Sequence, residues 1–431
     1  MGQTKERLPL LQEAELMDKV VLVRVDHNVV KKGRIKDPYR IEATLPTLYR
    51  IAEQGGRPIL MTHVGRPRDK KTGKITADAH ATVQPIIDYL KRKLGVDFAL
   101  PRLEQEGEDG IREIGDSIRP LIQDLKARRI AGIYLPNTRC FRGEEGEGED
   151  RERFAAGLSA VSNLYVNDAF GSWQPHVSTY DIAAILPSYA GILMQKELSN
   201  LERVLDPERP FLAVVAGSKY DTKIGPLRKL YERVDHMVLG GVVYNAYLCA
   251  KYDIRVAGVS GEDVEAAREL VRRDAEEGKI IEPSMVVESD SVERRDESGI
   301  RTRKVEDFRS GDEYGWFLDI AEGAYEQPAL RDAIGSARTI FVNAVMGLVP
   351  LFTEGTRGLN AAVSKNTGAL KLYGGGDTLQ ELRESTPRLY LAAVDDPSYY
   401  FFTGGGTVLT AIEQGSPYGL KPVQALMNKT H

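Results

Sequence analysis

Short apolar runs rich in β-branched residues alternate with longer amphipathic stretches along almost the whole chain, and this alternation constrains the fold most. Continuous apolar runs are typical of strands buried on both faces, and the amphipathic stretches are typical of helices that cover those faces. The pattern therefore predicts an α/β fold with parallel sheets. The predicted strands are residues 20–25, 58–61, 133–135, 164–166, 211–215, 237–239, 284–287, 339–342, 369–373 and 399–402.

These strands are more than one open sheet comfortably holds, and 431 residues are too many for one core. Stretches such as 81–94 and 261–278 are predicted helices. A further helical pattern opens near residue 191 and is stopped by the prolines of residues 206–210. We therefore predict two doubly wound, Rossmann-like parallel-sheet domains, at residues 1–190 and 211–415, joined by a hinge helix at 191–210.

Composition excludes several classes of protein. Hydrophobic residues make up 42% and charged residues 28% of the chain, as in ordinary globular proteins. No apolar run approaches the roughly 20 residues needed to span a bilayer, and the N-terminus lacks the apolar stretch of a signal peptide. Two cysteines cannot form a disulfide framework, and a net charge of −5 argues against a nucleic-acid partner. We expect a cytoplasmic protein with no membrane or nucleic-acid partner.

Polar and basic side chains follow the predicted strands of the first half, at the carboxyl ends where a doubly wound sheet binds its ligands. The side chains with this placement are Asp26, Asn28, Arg40, His63, Arg66 and Arg139. Such cations beside hydrogen-bonding groups suit a small acid that carries a phosphate and a carboxylate. Any single arginine is more simply explained as a surface residue or as the partner of a nearby carboxylate. Their shared position at strand ends favours one binding site.

Glycines follow the strands of the second half, together with two lysines and an aspartate. Glycine after a strand lets backbone amides approach a phosphate, which the N-terminus of the next helix also favours. The chain has no G-x-x-x-x-G-K-[ST] motif, and residues 374–378 do not continue as G-x-G-x-x-G because residue 379 is leucine. The candidate phosphate-binding residues are Gly217, Lys219, Lys223, Gly241, Asn343, Gly376, Asp377, Thr378, Gly404, Gly405 and Gly406.

In their order and spacing, these stretches resemble the phosphoglycerate kinase family over nearly the whole chain. The matching stretches are residues 24–29 (RVDHNV), 40–41, 62–67 (THVGRP), 137–139 (NTR), 167–171 (NDAFG), 217–219 with 223, 374–378 and 403–406 (TGGG). The resemblance implies a kinase whose first domain binds 3-phosphoglycerate and whose second domain binds Mg-ATP or Mg-ADP, and we expect a monomer. It implies hinge closure between the domains, and a C-terminal tail, residues 416–431, that returns to the first domain.

The resemblance also assigns roles to residues. Catalytic roles fall on Arg40, Lys223, Gly404, Gly405 and Gly406. The residues implied to bind the acid are Asp26, Asn28, Arg40, His63, Arg66 and Arg139. The residues implied to bind the nucleotide are Gly217, Lys219, Lys223, Gly241, Asn343, Gly376, Asp377 and Thr378. Asp377 is the implied ligand of Mg²⁺.

The chain departs from the family pattern at three places. The basic segment T-A-H-R-x-H-x-S is replaced by residues 172–178 (SWQPHVS), so its phosphate-binding arginine has no counterpart. The pattern N-G-P-x-G-x-x-E becomes residues 343–350 (NAVMGLVP), which places Pro350 where the family has a glutamate associated with the ribose. Pro136 stands where an acidic residue usually precedes Asn137.

These departures leave more than one function open. His176, Arg142 or another cation could replace the missing arginine, or the acceptor could be a different phosphorylated or phosphonylated acid. A non-catalytic paralogue that binds nucleotide or a phosphorylated acid is a further alternative. Retention of Lys223, Asp377 and residues 404–406 favours the enzyme, because a binding module does not need all of them.

Overall fold

The computed structural model describes residues 7–76, 81–217 and 224–428. Lys219 and Lys223 lie outside the described residues. The chain divides into two compact units, which we call unit 1 (Met1–Leu198 with Tyr418–His431) and unit 2 (Ser199–Pro417). The first division point lies inside a helix, Ile192–Leu205, which occupies most of the segment predicted as the hinge helix.

Unit 1 is built on a parallel sheet flanked by a small hairpin. Its strands are β1 (Val20–Val25), β2 (Val30–Lys31), β3 (Arg34–Ile35), β4 (Arg57–Met61), β5 (Phe98–Ala99), β6 (Gly132–Tyr134), β7 (Leu164–Asp168) and β8 (Ser188–Ala190). The six-stranded sheet has the order β5-β6-β4-β1-β7-β8. All its pairings are parallel, whereas β2 and β3 pair antiparallel with each other.

Helices pack against this sheet and bury its apolar side chains. They are α1 (Tyr39–Ala43), α2 (Leu45–Glu53), α3 (Gln84–Leu94), α4 (Arg119–Lys126), α5 (Gly148–Ala160) and α6 (Ile182–Ile185), while α7 (Ile192–Leu205) begins in unit 1 and continues into unit 2. Val21, Val23 and Leu60 are completely buried in the core of the unit. Burial of such side chains is the main favourable contribution to folding.

Unit 2 contains a second parallel sheet. The strands of unit 2 are β9 (Phe211–Gly217), β10 (His236–Gly240), β11 (Arg255–Val256), β12 (Met285–Ser289), β13 (Ile300–Lys304), β14 (Glu313–Tyr314), β15 (Trp316–Ile320), β16 (Thr339–Asn343), β17 (Leu370–Gly374) and β18 (Tyr399–Phe402). The five-stranded sheet has the order β10-β9-β16-β17-β18, with parallel pairing throughout. The two predicted doubly wound sheets are confirmed, and each predicted strand overlaps an observed one.

The prediction was wrong about the sheet and the pairing direction of one strand. β12 covers the predicted strand 284–287, but it lies in a separate three-stranded sheet of order β13-β12-β15 and pairs antiparallel with both neighbours. An apolar run indicates a strand, but it does not show whether that strand pairs parallel or antiparallel with its neighbours. The short segments between β12, β13 and β15 contain no long crossover helix, so the chain can only return antiparallel.

Helices of unit 2 separate the strands of its parallel sheet. They are α8 (Ile224–Tyr231), α9 (Gly241–Tyr252), α10 (Gly261–Glu277), α11 (Pro328–Ser336), α12 (Glu354–Lys365), α13 (Gly376–Ser385), α14 (Pro387–Val394) and α15 (Gly405–Gln414). The last helix, α16 (Lys421–Met427), belongs to unit 1 and packs against α6 and β8. Within the described ranges, no helix has the length and apolar character that crossing a bilayer requires.

Candidate active site

An ion pair joins the end of β1 to α1 in unit 1. Asp26 directly follows β1 and is 3% exposed, and its Oδ2 accepts a hydrogen bond from Nη1 of Arg40 at 3.3 Å. The second carboxylate oxygen, Oδ1, is buried and has no hydrogen-bond partner among the described residues. Because a buried oxygen without a donor is costly, this atom is suited to accept a hydrogen bond from a ligand hydroxyl.

His63, at the end of β4, is held in one tautomer by Arg24. Nη2 of Arg24 lies 3.1 Å from Nδ1 of His63, and a guanidinium can only donate, so Nδ1 accepts and the ring proton is on Nε2. Burial, followed by the charges of Arg24, Arg139, Arg40 and His176, holds the pKa of His63 well below its usual value. His63 is therefore a neutral hydrogen-bond donor within a group of cations.

Hydrogen bonds connect the loops that follow β1, β4 and β6. Oδ1 of Asn28 accepts from the backbone N–H of Gly65 at 2.9 Å, and Nη1 of Arg139 donates to the carbonyl of Gly65 at 2.7 Å. Arg139 also forms an ion pair with Glu145, with 2.8 Å between Nε and Oε1. Arg66 is exposed, and its side chain contacts no polar partner among the described residues.

Sequence reasoning missed a buried polar network behind these side chains. Arg24 is 1% exposed and donates from Nε to Oγ of Ser178 at 2.8 Å. The fully buried carboxylate of Glu144 accepts from the backbone N–H of Ser178 at 2.9 Å. Arg24 is the charged residue within the apolar run 20–25, and a charge inside a buried strand is a signal that could have identified this network.

The two residues that could replace the missing arginine of residues 172–178, Arg142 and His176, have different surroundings. Arg142 is paired with two carboxylates, with Nη2 2.6 Å from Asp109 and Nη1 3.5 Å from Glu106. His176 is largely buried, and its Nε2 lies 3.7 Å from Glu145. The pKa of His176 is lowered on balance, chiefly by burial, although the neighbouring carboxylates of Glu144 and Glu145 act in the opposite direction. Of the two, His176 is the one that lies close enough to His63 to influence its charge.

Most of the predicted phosphate-binding residues of unit 2 that the structure describes line one cleft with a volume of ≈ 540 Å³. They lie at the carboxyl ends of β9, β10, β16, β17 and β18. Those that line the cleft are Gly217, Gly241, Asn343, Gly376, Asp377, Thr378, Gly405 and Gly406. Gly404 is buried at the start of α15. The helices α9, α13 and α15 all begin at this cleft, so three helix N-termini offer backbone amides and positive dipole ends to an anion.

The cleft depends on the absence of side chains at two glycines. A Cβ atom on Gly405 would lie 2.3 Å from the Cα of Gly375, so the loops after β17 and β18 approach too closely for any other residue. Gly241 has φ = 58° and lies against the backbone of Gly217. Glycine adopts this conformation without the strain that other residues carry.

The side chains that line the cleft are mostly apolar. Asn343, Asp377 and Thr378 are the only polar side chains that the described lining contains. The remaining large side chains are apolar: Val242, Phe317, Leu318, Val345, Met346, Leu348, Val349 and Leu409. Mg²⁺ is usually held by one or two carboxylates together with substrate phosphates, and the single carboxylate of Asp377 fits that mode. The described residues contain no cluster of three or more potential metal ligands.

Comparisons with known proteins agree over most of the chain. The family model described as Phosphoglycerate kinase matches residues 11–415. Relatives named phosphoglycerate kinase from Desulforudis audaxviator and Moorella thermoacetica are each 33% identical, with 94% of this chain and 95% of the relative covered. The solved phosphoglycerate kinase of Coxiella burnetii superposes with a TM-score of 0.74 at 26% identity, with 97% and 99% of the two chains covered.

Proposed function

Since the chain belongs to the phosphoglycerate kinase family, we propose that it reversibly transfers the γ-phosphoryl group of ATP to the carboxylate of 3-phosphoglycerate. The products are 1,3-bisphosphoglycerate and ADP. Unit 1 binds the acid and unit 2 binds the Mg-nucleotide. The observation that carries this proposal is the division of chemistry, with a cationic cluster around Asp26 in unit 1 and a cleft of helix N-termini in unit 2.

The acid-binding part of the proposal rests on charge. A carboxylate and a phosphate bring about three negative charges at neutral pH. Arg40, Arg139, Arg66 and the Nε2–H of His63 supply donors and positive charge for them. The free Oδ1 of Asp26 accepts a hydrogen bond from the hydroxyl of the acid. Asn28 holds the loop of Gly65 in place for Arg139.

The transfer step requires alignment and charge stabilisation but no general base. A carboxylate oxygen of the acid attacks the γ-phosphorus, and the bond from that phosphorus to the β–γ bridging oxygen breaks, leaving ADP. The attacking carboxylate is already ionised at neutral pH. Arg40 and Lys223 stabilise the charge that develops on the equatorial oxygens, and the amides at residues 404–406 add further donors. Mg²⁺, which Asp377 would hold, neutralises phosphate charge when it is bound.

The test is a coupled assay that follows ADP formation from ATP, Mg²⁺ and 3-phosphoglycerate. We expect turnover that is lost on addition of EDTA and restored by excess Mg²⁺, with an unchanged melting temperature. Binding of nucleotide without any turnover, on 3-phosphoglycerate or related acids, would instead support the non-catalytic paralogue. We also propose that the protein is cytoplasmic and monomeric. Cell fractionation tests the location, and light scattering tests the monomeric state.

A second candidate is the same chemistry on a different phosphorylated or phosphonylated acid. The observation that favours it is the absence of the family's phosphate-binding arginine from residues 172–178, where Gln174 is exposed beside Trp173. This change affects the end of the acid far from the reacting carboxylate. A panel of such acids in the same assay separates the two candidates by their kcat/KM values.

A further inference from the structure

The hairpin of β2 and β3 carries a concentration of positive charge that the proposed function does not explain. Lys31, Lys32, Arg34 and Lys36 are all exposed. Their side chains make no ion pair or hydrogen bond with any part of the chain that the structure describes. Most arginines around the acid site, in contrast, have a partner, such as Asp26 for Arg40 and Glu145 for Arg139.

Two features of the hairpin oppose its own stability. Lys31 and Arg34 are directly opposite each other in the β2–β3 register, and like charges in that arrangement repel. Lys32 has φ = 50° and Gly33 has φ = 72°, so both central residues of the turn are left-handed. Asparagine, aspartate or glycine normally occupies such a turn, because a lysine there is strained. Features that oppose local stability are often found where they serve a function.

The hairpin lies next to the proposed acid site. It is the segment between Asn28 and Arg40, and the backbone N–H of Lys36 bonds to the carbonyl of Val29 at 3.0 Å. At about 3.3 Å per residue, Lys31 and Lys32 are roughly 10–13 Å along the chain from Asn28. The Debye length is about 10 Å at 0.1 M salt and about 30 Å at 0.01 M. The hairpin charges therefore act on an anion at the site strongly at low salt and weakly at high salt.

The net charge of the protein makes such a local field useful. With a net charge of −5, the chain as a whole repels an acid of about three negative charges. A local group of unpaired cations makes the potential near the site more positive and raises the local concentration of the anion. Cations that are free of carboxylate partners do this best, because paired ones contribute little field at a distance.

We infer that the β2–β3 hairpin is an electrostatic guide that draws the anionic acid into the unit 1 site. The inference rests on the proposed function for the identity of the acid. The hairpin acts on the encounter and binding of the acid through its charge, while Arg40 and Asp26 make the contacts in the bound state. The acid can be 3-phosphoglycerate or another small polyanionic carboxylate, because the guide recognises charge alone.

The test compares two triple variants with equal loss of charge. The hairpin variant is Lys31→Gln with Lys32→Gln and Arg34→Gln. The control is Lys19→Gln with Lys126→Gln and Arg128→Gln, three exposed cations without side-chain partners among the described residues. They precede β1 and β6, at the amino-end edge of the unit 1 sheet. Arg128 has φ = 59° and so matches Lys32 in backbone conformation.

At about 10 mM ionic strength, we expect the hairpin variant to lose about tenfold in kcat/KM for 3-phosphoglycerate, with kcat and the KM for ATP unchanged. The loss should fall below about twofold at 0.5 M salt. The control should stay within about twofold of the parent protein at both salt concentrations. Equal losses in the two variants, or a loss that persists at 0.5 M salt, would overturn the inference.

Calorimetric titration of 3-phosphoglycerate into the same proteins separates this inference from the proposed function. If the parent protein binds the acid but does not turn it over, the proposed function fails, and the inference still predicts a salt-dependent Kd that the hairpin variant weakens. Normal turnover with identical binding by both variants would reject the inference alone. Absence of binding by the parent protein would reject both.

Discussion

Asp26 and Arg40 meet at 3.3 Å between Oδ2 and Nη1, and the other carboxylate oxygen of Asp26 has no hydrogen-bond partner among the described residues. The pair thus holds Arg40 at the end of β1 while leaving one acceptor for a ligand. An arginine held in this way is pre-organised, so little conformational freedom is lost when substrate binds. The ion pair links a buried carboxylate to an arginine side chain that is 27% exposed and accessible to ligand.

The first prediction follows from this pair. If Arg40 stabilises charge on the transferred phosphoryl group, Arg40→Ala should lower kcat by about a hundredfold or more and change the KM for the acid much less. Lys223→Ala should do the same. Arg50→Ala is the control, because Arg50 lies on α2 in a surface ion pair with Glu53 and should leave kcat unchanged. Near-normal turnover in Arg40→Ala would remove this residue from the mechanism.

The second prediction concerns the end of the acid that lacks an arginine. Gln174→Arg should lower the KM for 3-phosphoglycerate roughly tenfold if one charged contact is restored. Gln174→Lys tests whether charge alone is sufficient, and Gln174→Ala should have little effect. If the parent protein already uses 3-phosphoglycerate better than every related acid and Gln174→Arg does not improve it, the altered-substrate candidate is wrong.

The third prediction concerns the nucleoside. The large side chains that line the cleft are apolar, and Pro350 offers no side-chain acceptor to the ribose hydroxyls. We therefore expect the kcat/KM values for ATP and 2′-deoxy-ATP to differ by less than about threefold. Pro350→Glu should increase the preference for ATP. A strong preference for ATP in the parent protein would show that another side chain binds the ribose.

The fourth prediction separates packing from ligand binding at two glycines of the cleft. Gly405→Ala should lower the melting temperature by several degrees, since its Cβ would collide with the backbone of Gly375. Gly376→Ala is the matched control, because a Cβ there has no atom within 4 Å. It should leave the melting temperature unchanged, and it should raise the KM for ATP if the phosphates bind at the start of α13. Equal melting temperatures of the two variants would contradict the close approach of the loops.

The fifth prediction concerns pH. His27 is completely buried between the hydroxyls of Tyr134 and Thr44, at 2.9 Å from each, and burial lowers its pKa to about 3. Between about pH 6.5 and 3 the unfolded chain therefore binds a proton at this residue that the folded chain does not. Stability contributed by His27 is lost as the pH falls through this window, with a slope of up to about 1.4 kcal/mol per pH unit.

Urea unfolding of the parent protein and His27→Phe from pH 5 to 8 measures this effect. The variant should show a shallower fall in the free energy of unfolding below about pH 6.5. The difference between the two proteins at pH 8 reports the lost hydrogen bonds and the changed packing without a contribution from protonation, since His27 is neutral in both states there. Parallel pH profiles would mean that His27 does not titrate differently on unfolding.

The strands and their order along the chain could be predicted because a buried strand has a recognisable apolar pattern in its local sequence. A run such as 164–166 or 211–215 is continuously apolar since both faces of its strand are covered, and this holds whatever the neighbouring strands are. Residues that follow such runs, such as Asp26 and Asp377, could be placed at a ligand crevice for the same reason, because parallel strands end at one edge of a sheet.

The partners of those residues were decided only by tertiary structure. Arg24 bonds to Ser178 and lies against His63, which are 154 and 39 positions away in sequence. Nothing in the local sequence of Arg142 shows that Asp109 neutralises it, or that His176 lies near His63 instead. The antiparallel setting of β12 was likewise hidden, because an apolar run does not record strand direction. Sequence by itself determined which segments are buried and which residues end their strands. Which charges meet, and which remain free for a ligand, depends on contacts between distant segments that exist only once the chain has folded.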